Sequence, residues 1–243
     1  MFVLLKKEIH SFLYSLIGYI VIIVFLVVNG LFLWLLPQDT NIFNAQFATL
    51  APMFGIAPWV FLFLIPAITM RSFSDEKKIG TIELLMTRPL TDLQIILAKY
   101  LAGLLLVLFS LIPTLLYIVS VYVLADPPGN LDFGGLWGSY LGLLFLGSSF
   151  VAIGIFTSSI TENQIVAFIL SVFLCFFCYY GFESVSTMQW LGAADRVVQL
   201  LGIDAHYNSM SRGVIDTRDV LYFGGFSAIF VVLTKIVLES RKW

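Results

Sequence analysis

Six long apolar segments dominate this chain of 243 residues and restrict it to a membrane protein. An α-helix needs about 20 predominantly apolar residues to cross the hydrocarbon core of a bilayer. Each segment is close to that length, and only the last contains a charged residue, Lys235 near one end. The candidate spans are roughly 12–36, 54–70, 100–124, 136–156, 165–181 and 220–237. We therefore expect an all-α polytopic membrane protein with six transmembrane helices.

The rest of the composition agrees with this class. Hydrophobic residues make up 60% of the chain and charged residues 12%, whereas charged residues form about a quarter of an ordinary soluble domain. No internal repeat, low-complexity segment or separate soluble domain is visible, so residues 1–243 are treated as one transmembrane domain. Residues 1–11 form an amphipathic lead, which we expect to lie at the membrane interface.

Basic residues are distributed unevenly about the spans. Lys and Arg concentrate on the cytoplasmic side of membrane proteins. Ten of the 13 lie on the side that holds both termini and the loop at 71–99, and three lie on the other side. Both termini are therefore predicted to be cytoplasmic, and residues 182–219 to form an extracytoplasmic segment. The ten are Lys6, Lys7, Arg71, Lys77, Lys78, Arg88, Lys99, Lys235, Arg241 and Lys242, and the three are Arg196, Arg212 and Arg218.

The loop at residues 71–99 has the most specific local pattern. Gly80 and Thr81 read as a break followed by a helix N-cap. Glu83 then falls in the first turn, where the helix dipole favours an anion, and Pro89 ends the helix. The pattern predicts a short helix over residues 82–87.

One face of this short helix is apolar. Ile82, Leu85 and Met86 recur at the i, i+3, i+4 spacing, and Leu84 flanks them. An apolar face on a cytoplasmic loop suits docking on a soluble partner. An amphipathic loop helix can equally rest on lipid headgroups, so the residues alone leave both interpretations open.

A second helix is predicted directly after this one. Thr91 and Gln94 have the spacing of a capping box, and Asp92 falls in the first turn. This helix should run through Lys99 into the third span.

Three runs of residues in this region carry a resemblance to a known family. They are Met70-Arg71-Ser72-Phe73, Asp75-Glu76-Lys77 and Gly80-Thr81-Ile82-Glu83-Leu84-Leu85, followed by Pro89. Together they are similar to the signature loop of ABC-2 type transporter permeases. The resemblance implies a type V exporter-like permease fold with a cytoplasmic coupling helix between helices 2 and 3. It assigns the ATPase-coupling interface to Glu76, Gly80, Thr81, Ile82, Glu83, Leu84, Leu85, Met86 and Arg88.

Matches elsewhere extend the resemblance over nearly the whole chain. They are Lys6-Lys7-Glu8, Pro58-Trp59, Ile65-Pro66, Ser211-Arg212-Gly213-Val214-Ile215-Asp216 and Arg241-Lys242-Trp243. With these, the chain resembles the gliding-motility ABC permeases, in particular their F subunit. The resemblance implies a multi-pass protein of the bacterial inner membrane. Arg212, which has no evident local role, is a candidate extracytoplasmic contact.

The same resemblance implies the partners. They are a cytoplasmic ABC ATPase dimer, a second permease chain with a larger extracytoplasmic domain, and membrane lipid, but no nucleic acid. The chain has no glycine-rich Walker loop, so ATP and Mg²⁺ are expected in the ATPase and no cofactor in this chain. The expected function is to couple ATP hydrolysis in the partner to export, or to force transmission across the membrane.

Two other classes are weighed against this one. An ion-coupled secondary transporter normally places ionisable residues or broken helices near the midplane, and the predicted spans contain no Asp, Glu, His or Arg. An enzyme needs a catalytic constellation. Cys175 and Cys178 form a C-x-x-C pair, but an apolar span disfavours the reactive thiolate, so packing is the better interpretation. A permease that is not itself an enzyme is favoured.

The extracytoplasmic segment yields further local predictions. The spacing of apolar residues predicts an amphipathic helix over 187–201 lying flat on the outer leaflet, with Gly202 as its stop. Asp216 and Asp219 should cap the last span and oppose its dipole. Glycines at 134, 138 and 142 should form a smooth strip for close packing, either between protomers or, as we favour, within the bundle.

Overall fold

The structure of the protein is a computed structural model that describes residues 1–44, 48–86, 90–127, 129–189, 192 and 195–240. Within these ranges the chain forms thirteen α-helices and no β-strand, as the apolar pattern predicts. They are α1 Phe2–Leu13, α2 Leu16–Gly30, α3 Ala51–Thr69, α4 Arg71–Ile79, α5 Thr81–Met86, α6 Asp92–Leu111, α7 Leu115–Leu124, α8 Phe133–Ile160, α9 Gln164–Phe176, α10 Phe182–Thr187, α11 Asp195–Leu201, α12 Ile203–Met210 and α13 Thr217–Glu239.

Six helical runs are long and apolar enough to span a membrane, which confirms the predicted number of spans among the described residues. Short π or 3₁₀ turns join some α-helices into one run. The spans are Gly18–Leu35, Ala51–Ile79, Asp92–Leu124, Phe133–Ile160, Gln164–Thr187 and Thr217–Glu239. Successive spans cross the membrane in opposite directions. The start of the chain, the loop after the second span and the end of α13 therefore lie on one side, here called the near face. The opposite side is the far face.

The fourth span lies at the centre of the bundle. It is the most buried of the six and packs against the second, third, fifth and sixth spans. Its glycines allow this close approach: a Cβ on Gly147 would lie 2.8 Å from Val107, and one on Gly138 would lie 2.7 Å from the backbone of Gly213. Gly138 therefore packs within the bundle, as predicted.

The far face is closed by helices that the sequence pattern predicts only in part. Of the expected helix over 187–201, the structure shows Asp195–Leu201 as α11, whereas residues 188–189 form a turn in which Gln189 has a φ of 54°. Positions 190, 191, 193 and 194 lie outside the described residues. The helix ends before Gly202, as predicted. The next helix, α12, was not predicted, and it buries Ile203, Tyr207 and Met210 in the bundle instead of lying flat.

Tyr207 fixes α12 to the second span. Its hydroxyl donates a 2.6 Å hydrogen bond to the carbonyl of Phe54. In a regular helix that carbonyl would accept the N–H of the residue four positions later, which here is Pro58 and has no N–H. The tyrosine therefore supplies the hydrogen bond that the proline removes.

Candidate functional site: the near-face loop

The second span continues past the apolar run into α4, which forms the base of the near-face loop. Met70, between α3 and α4, has helical angles (φ −54°, ψ −28°). Gly80 then adopts φ 76°, a left-handed conformation that suits glycine, and ends α4 as predicted. The loop is thus built on an extension of the span itself.

The short helix α5 follows directly as Thr81–Met86, one residue earlier than predicted. Thr81 is its first residue, and its hydroxyl donates to the carbonyl of Glu76 at 3.4 Å. The predicted capping box of α6 is confirmed, with reciprocal bonds between Thr91 and Gln94. Three predicted or assigned residues, at positions 87–89 and including Arg88, lie outside the described residues, as do the side chains of Leu84, Leu85 and Met86.

A serine from the fourth span caps the start of α4. The Ser158 hydroxyl accepts hydrogen bonds from the backbone N–H groups of Phe73 at 2.9 Å and Ser74 at 3.1 Å, and donates to the carbonyl of Met70 at 2.9 Å. The first N–H groups of a helix have no partner within the helix. Here a neighbouring span supplies that partner, which attaches α4 to the centre of the bundle.

Two further side-chain contacts hold α4. The buried Lys77 ammonium donates to the carbonyl of Ser159 at the end of the fourth span. The Gln164 amide, at the start of the fifth span, donates to the Asp75 carboxylate. The loop between the fourth and fifth spans therefore binds α4 through both of its ends.

On the opposite side, Lys99 joins α4 to the third span and to α1. Its Nζ lies 3.0 Å from Glu8 Oε1 and 3.0 Å from Glu76 Oε2, and donates to the carbonyl of Ser72 at 2.6 Å. The side chain is 1% exposed and also lies 5.0 Å from the centre of the Phe73 ring. A buried ammonium requires such compensation, because an unpaired charge is costly outside water.

This ion cluster changes the expected roles of two residues. Lys99 is not available to the membrane surface, although it counts among the predicted near-face basic residues. Glu76 was assigned to the docking interface but lies at the base of the loop, with a side chain 14% exposed and paired to Lys99. Lys7 lies 3.5 Å from Glu76 and extends the cluster toward solvent. The adjacent cavity, of about 200 Å³, is smaller than a typical ligand pocket.

The tip of the loop, defined as residues 78–83, is more open than its base. Lys78, Ile79, Gly80, Thr81 and Glu83 are exposed, and Ile82 is half-buried against the core. Ile79 is 72% exposed, which is high for a large apolar side chain at the end of a helix. Ile79 was not among the residues predicted for the docking interface, although its position beside Gly80 could have indicated it.

The far-face residues are placed as follows. Arg212 is exposed and borders a small cavity with Asp132 and Ser139, remote from the near-face loop. Asp216 caps α13 as predicted, accepting the N–H of Arg218 at 2.9 Å. Asp219 lies in the first turn of α13, where it was expected to interact with the helix dipole, and it also has a specific partner. Its Oδ1 lies 2.7 Å from the ring Nδ1 of His206.

Several features combine to define the class of protein. Six spans with almost wholly apolar interiors form one bundle, and a loop with a fixed base and an exposed tip projects from the near face. Among the described residues no cluster of His, Cys, Asp or Glu could hold a metal ion, and Cys175 and Cys178 are buried free thiols. This is the architecture of a multi-pass membrane domain.

The family model for ABC-2 family transporter proteins matches residues 36–201, well over half of the chain. The chain therefore belongs to the ABC-2 family of transporter proteins. Its members are membrane components of ABC transporters, which typically lack an ATPase site of their own, and the family implies an ABC ATPase as partner. A search of curated proteins found no match.

Proposed function

We propose that the chain is the permease subunit of an ATP-driven transporter, and that the loop at 71–99 couples it to a separate ATPase dimer on its near face, which is cytoplasmic. The observation that carries the proposal is the contrast within the loop. The tip is exposed, while the base is joined to the third, fourth and fifth spans and to α1. A partner that moves the tip therefore moves the bundle.

The contacts of α4 support the direction of this coupling. Ser158 and the Lys77 bond attach it to the central span, and the Lys99 cluster attaches it to the third. Closely packed interiors transmit a displacement instead of absorbing it. Closure of an ATPase dimer on ATP would then tilt the second span through α4, with α5 as the coupling helix.

Substitutions at the tip test this proposal. The protein is purified in mild detergent from native membranes, and bound subunits are identified by mass spectrometry and by photolabelling with an azido-ATP analogue. We expect Ile79→Asp, at an apolar tip residue 72% exposed, and Glu83→Arg to remove an ATP-labelled subunit that binds the unsubstituted protein. Val214→Asp, at an apolar far-face residue 60% exposed, is the matched control and should keep it. Retention of the ATPase by both tip variants would contradict the proposal.

We further propose that a second permease chain, bearing a larger extracytoplasmic domain, packs on the first and fifth spans. An apolar groove of about 630 Å³ lies between the first and second spans and Phe168 of the fifth. Ile20, Val24, Ile169 and Phe173 beside it are 47%, 47%, 59% and 62% exposed. The mass of the intact complex distinguishes one copy of this chain plus a different permease from two copies of this chain. Two copies would contradict the heteromeric arrangement.

Gliding motility is the finer proposal, supported by the sequence resemblance over Ser211 to Asp216 and at both ends of the chain. In it the bundle sits in a bacterial inner membrane and either exports a substrate or transmits force to extracytoplasmic proteins. Deletion of the gene in a gliding host should abolish movement, and the intact gene should restore it. Export without any effect on movement would favour transport alone.

A further inference from the structure

His206 on α12 has two hydrogen-bond acceptors, one at each ring nitrogen. Nδ1 lies 2.7 Å from Asp219 Oδ1, and Nε2 lies 3.0 Å from the carbonyl oxygen of Leu200. A carbonyl and an ionised carboxylate can only accept, and a neutral imidazole has only one N–H. Both contacts can be hydrogen bonds only if the pair carries one additional proton. Either the ring is an imidazolium facing an ionised Asp219, or the ring is neutral and Asp219 carries the proton.

The surroundings shield this pair from water. The side chains of His206 and Asp219 are 13% and 9% exposed. The Tyr222 ring stacks on the imidazole, with the ring centres 3.9 Å apart, and its hydroxyl donates to the carbonyl of Leu201 at 2.7 Å. Water therefore cannot easily replace a hydrogen bond that the ring loses.

The contacts connect three separate parts of the far face. His206 belongs to α12, the Leu200 and Leu201 carbonyls belong to the end of α11, and Asp219 and Tyr222 belong to the sixth span. On its other side α12 is fixed to the second span by the Tyr207 bond. The ring is thus a polar link from α12 to both α11 and the sixth span, beside the Tyr222 bond that joins α11 to the sixth span.

Other titratable groups also face this helix. Asp204, two residues before His206 on α12, accepts a 2.6 Å bond from Asn208 and lies near Glu183 and Tyr179 of the fifth span. Burial, together with Glu183, raises the pKa of Asp204 to about 7. A protonated Asp204 therefore favours the docked position of α12 at this flank.

We propose that His206, Asp219 and the Leu200 carbonyl form a proton-binding site whose occupancy fixes α11 and α12 to the sixth span. When the site loses its proton, one ring nitrogen presents a lone pair either to the carboxylate or to the carbonyl, and that contact becomes repulsive. Protons on the far face then act as a ligand of the segment 195–210. The site does not depend on the docking of an ATPase.

The chain offers a direct measurement, because it contains only two histidines. The other, His10, is exposed on the near face and makes none of these contacts. In the full-length His10→Asn protein, labelled with ¹⁵N-histidine in lipid nanodiscs, nitrogen NMR shifts report the protonation of each ring nitrogen of His206. The titration runs from about pH 5 to about pH 9, across the ordinary range of histidine.

We expect both nitrogens to be protonated at the acid end and the imidazolium signal to disappear as pH rises. Asp219→Asn should instead give a neutral ring with its proton on Nε2, because an amide N–H can donate to Nδ1 while Nε2–H donates to the Leu200 carbonyl. Asp216→Asn, which alters an exposed carboxylate of the same helix while keeping a good N-cap residue, is the control and should behave as the parent.

Hydrogen exchange then tests the link to docking. After correction for the base-catalysed rate of an unprotected peptide, amides at 203–210 should exchange roughly tenfold faster once the proton is lost, as expected for one lost charge-assisted hydrogen bond. His206→Asn should keep only the smaller part of the step that Asp204 contributes, and adding Asp204→Asn to it should remove the step. A single neutral tautomer of His206 over the whole pH range would overturn the proposal, and this NMR result requires no variant of the site. A step in hydrogen exchange as large in His206→Asn as in the protein with His206 would overturn it as well.

Discussion

The hydroxyl of Tyr207 should stabilise the protein only because residue 58 is proline. Tyr207→Phe leaves the ring in place but removes the donor to the buried carbonyl of Phe54. A buried carbonyl without a partner costs about 1–3 kcal/mol. For a chain of this length that corresponds to a fall in Tm of roughly 2–12 °C. Thermal unfolding in one detergent at fixed protein concentration measures it.

A double-mutant cycle separates this hydrogen bond from packing. In Pro58→Ala the new N–H of residue 58 can reach the Phe54 carbonyl, which restores the regular helix bond. Tyr207→Phe should then cost much less in the Pro58→Ala background than in the parent, with a coupling of about 1–2 kcal/mol. The loss of proline packing cancels in the cycle, because it is common to both arms.

Pro66→Ala supplies the matched comparison, since it lies in the same span and two turns further on, away from Tyr207. Its effect and that of Tyr207→Phe should add without coupling. Equal costs of Tyr207→Phe in the parent and in Pro58→Ala would refute the reasoning, because the hydroxyl would then not be compensating for the proline.

Three further predictions follow from buried contacts. Lys99→Met should destabilise the protein by up to about 3 kcal/mol in equilibrium unfolding, since it leaves two largely buried carboxylates with only the exposed Lys7 as a partner. Lys235→Met, at an exposed i, i+4 pair, should cost under about 0.5 kcal/mol, and equal effects would contradict the cluster. Because the folded state raises the pKa of Asp204 to about 7, stability should fall as pH rises from about 4 to about 7, and Asp204→Asn should flatten that part of a plot of Tm against pH. Gly138→Ala should lower Tm through a clash with backbone 2.7 Å away, while Gly55→Ala, with nothing within 4 Å, should not.

The spans could be predicted from sequence because their signal is local. Burial in hydrocarbon demands a long apolar run, and a helix stop such as Gly80 needs only one residue with a left-handed backbone. The capping box at Thr91 and Gln94 is likewise fixed within four residues. These features require no knowledge of which helices are neighbours.

The polar contacts between helices could not be predicted for the opposite reason. Glu8 and Lys99 are 91 positions apart, and only the packing of α1 on the third span brings them within 3.0 Å. The pairing of His206 with Asp219 depends in the same way on how α12 enters the bundle. That helix is short and of mixed polarity, so its burial leaves little periodic signal.

The continuity of the second span with α4 has a mechanical consequence. The 29 residues of α3, Met70 and α4 have a length of about 44 Å at 1.5 Å per residue, and Ser158 bridges the junction at Met70. If this run pivots near its middle, a tilt of about 5° moves each end by about 2 Å in opposite directions. The far end of the run lies near Phe54, whose carbonyl accepts the Tyr207 hydrogen bond. A displacement of the near end therefore reaches α12 through that bond.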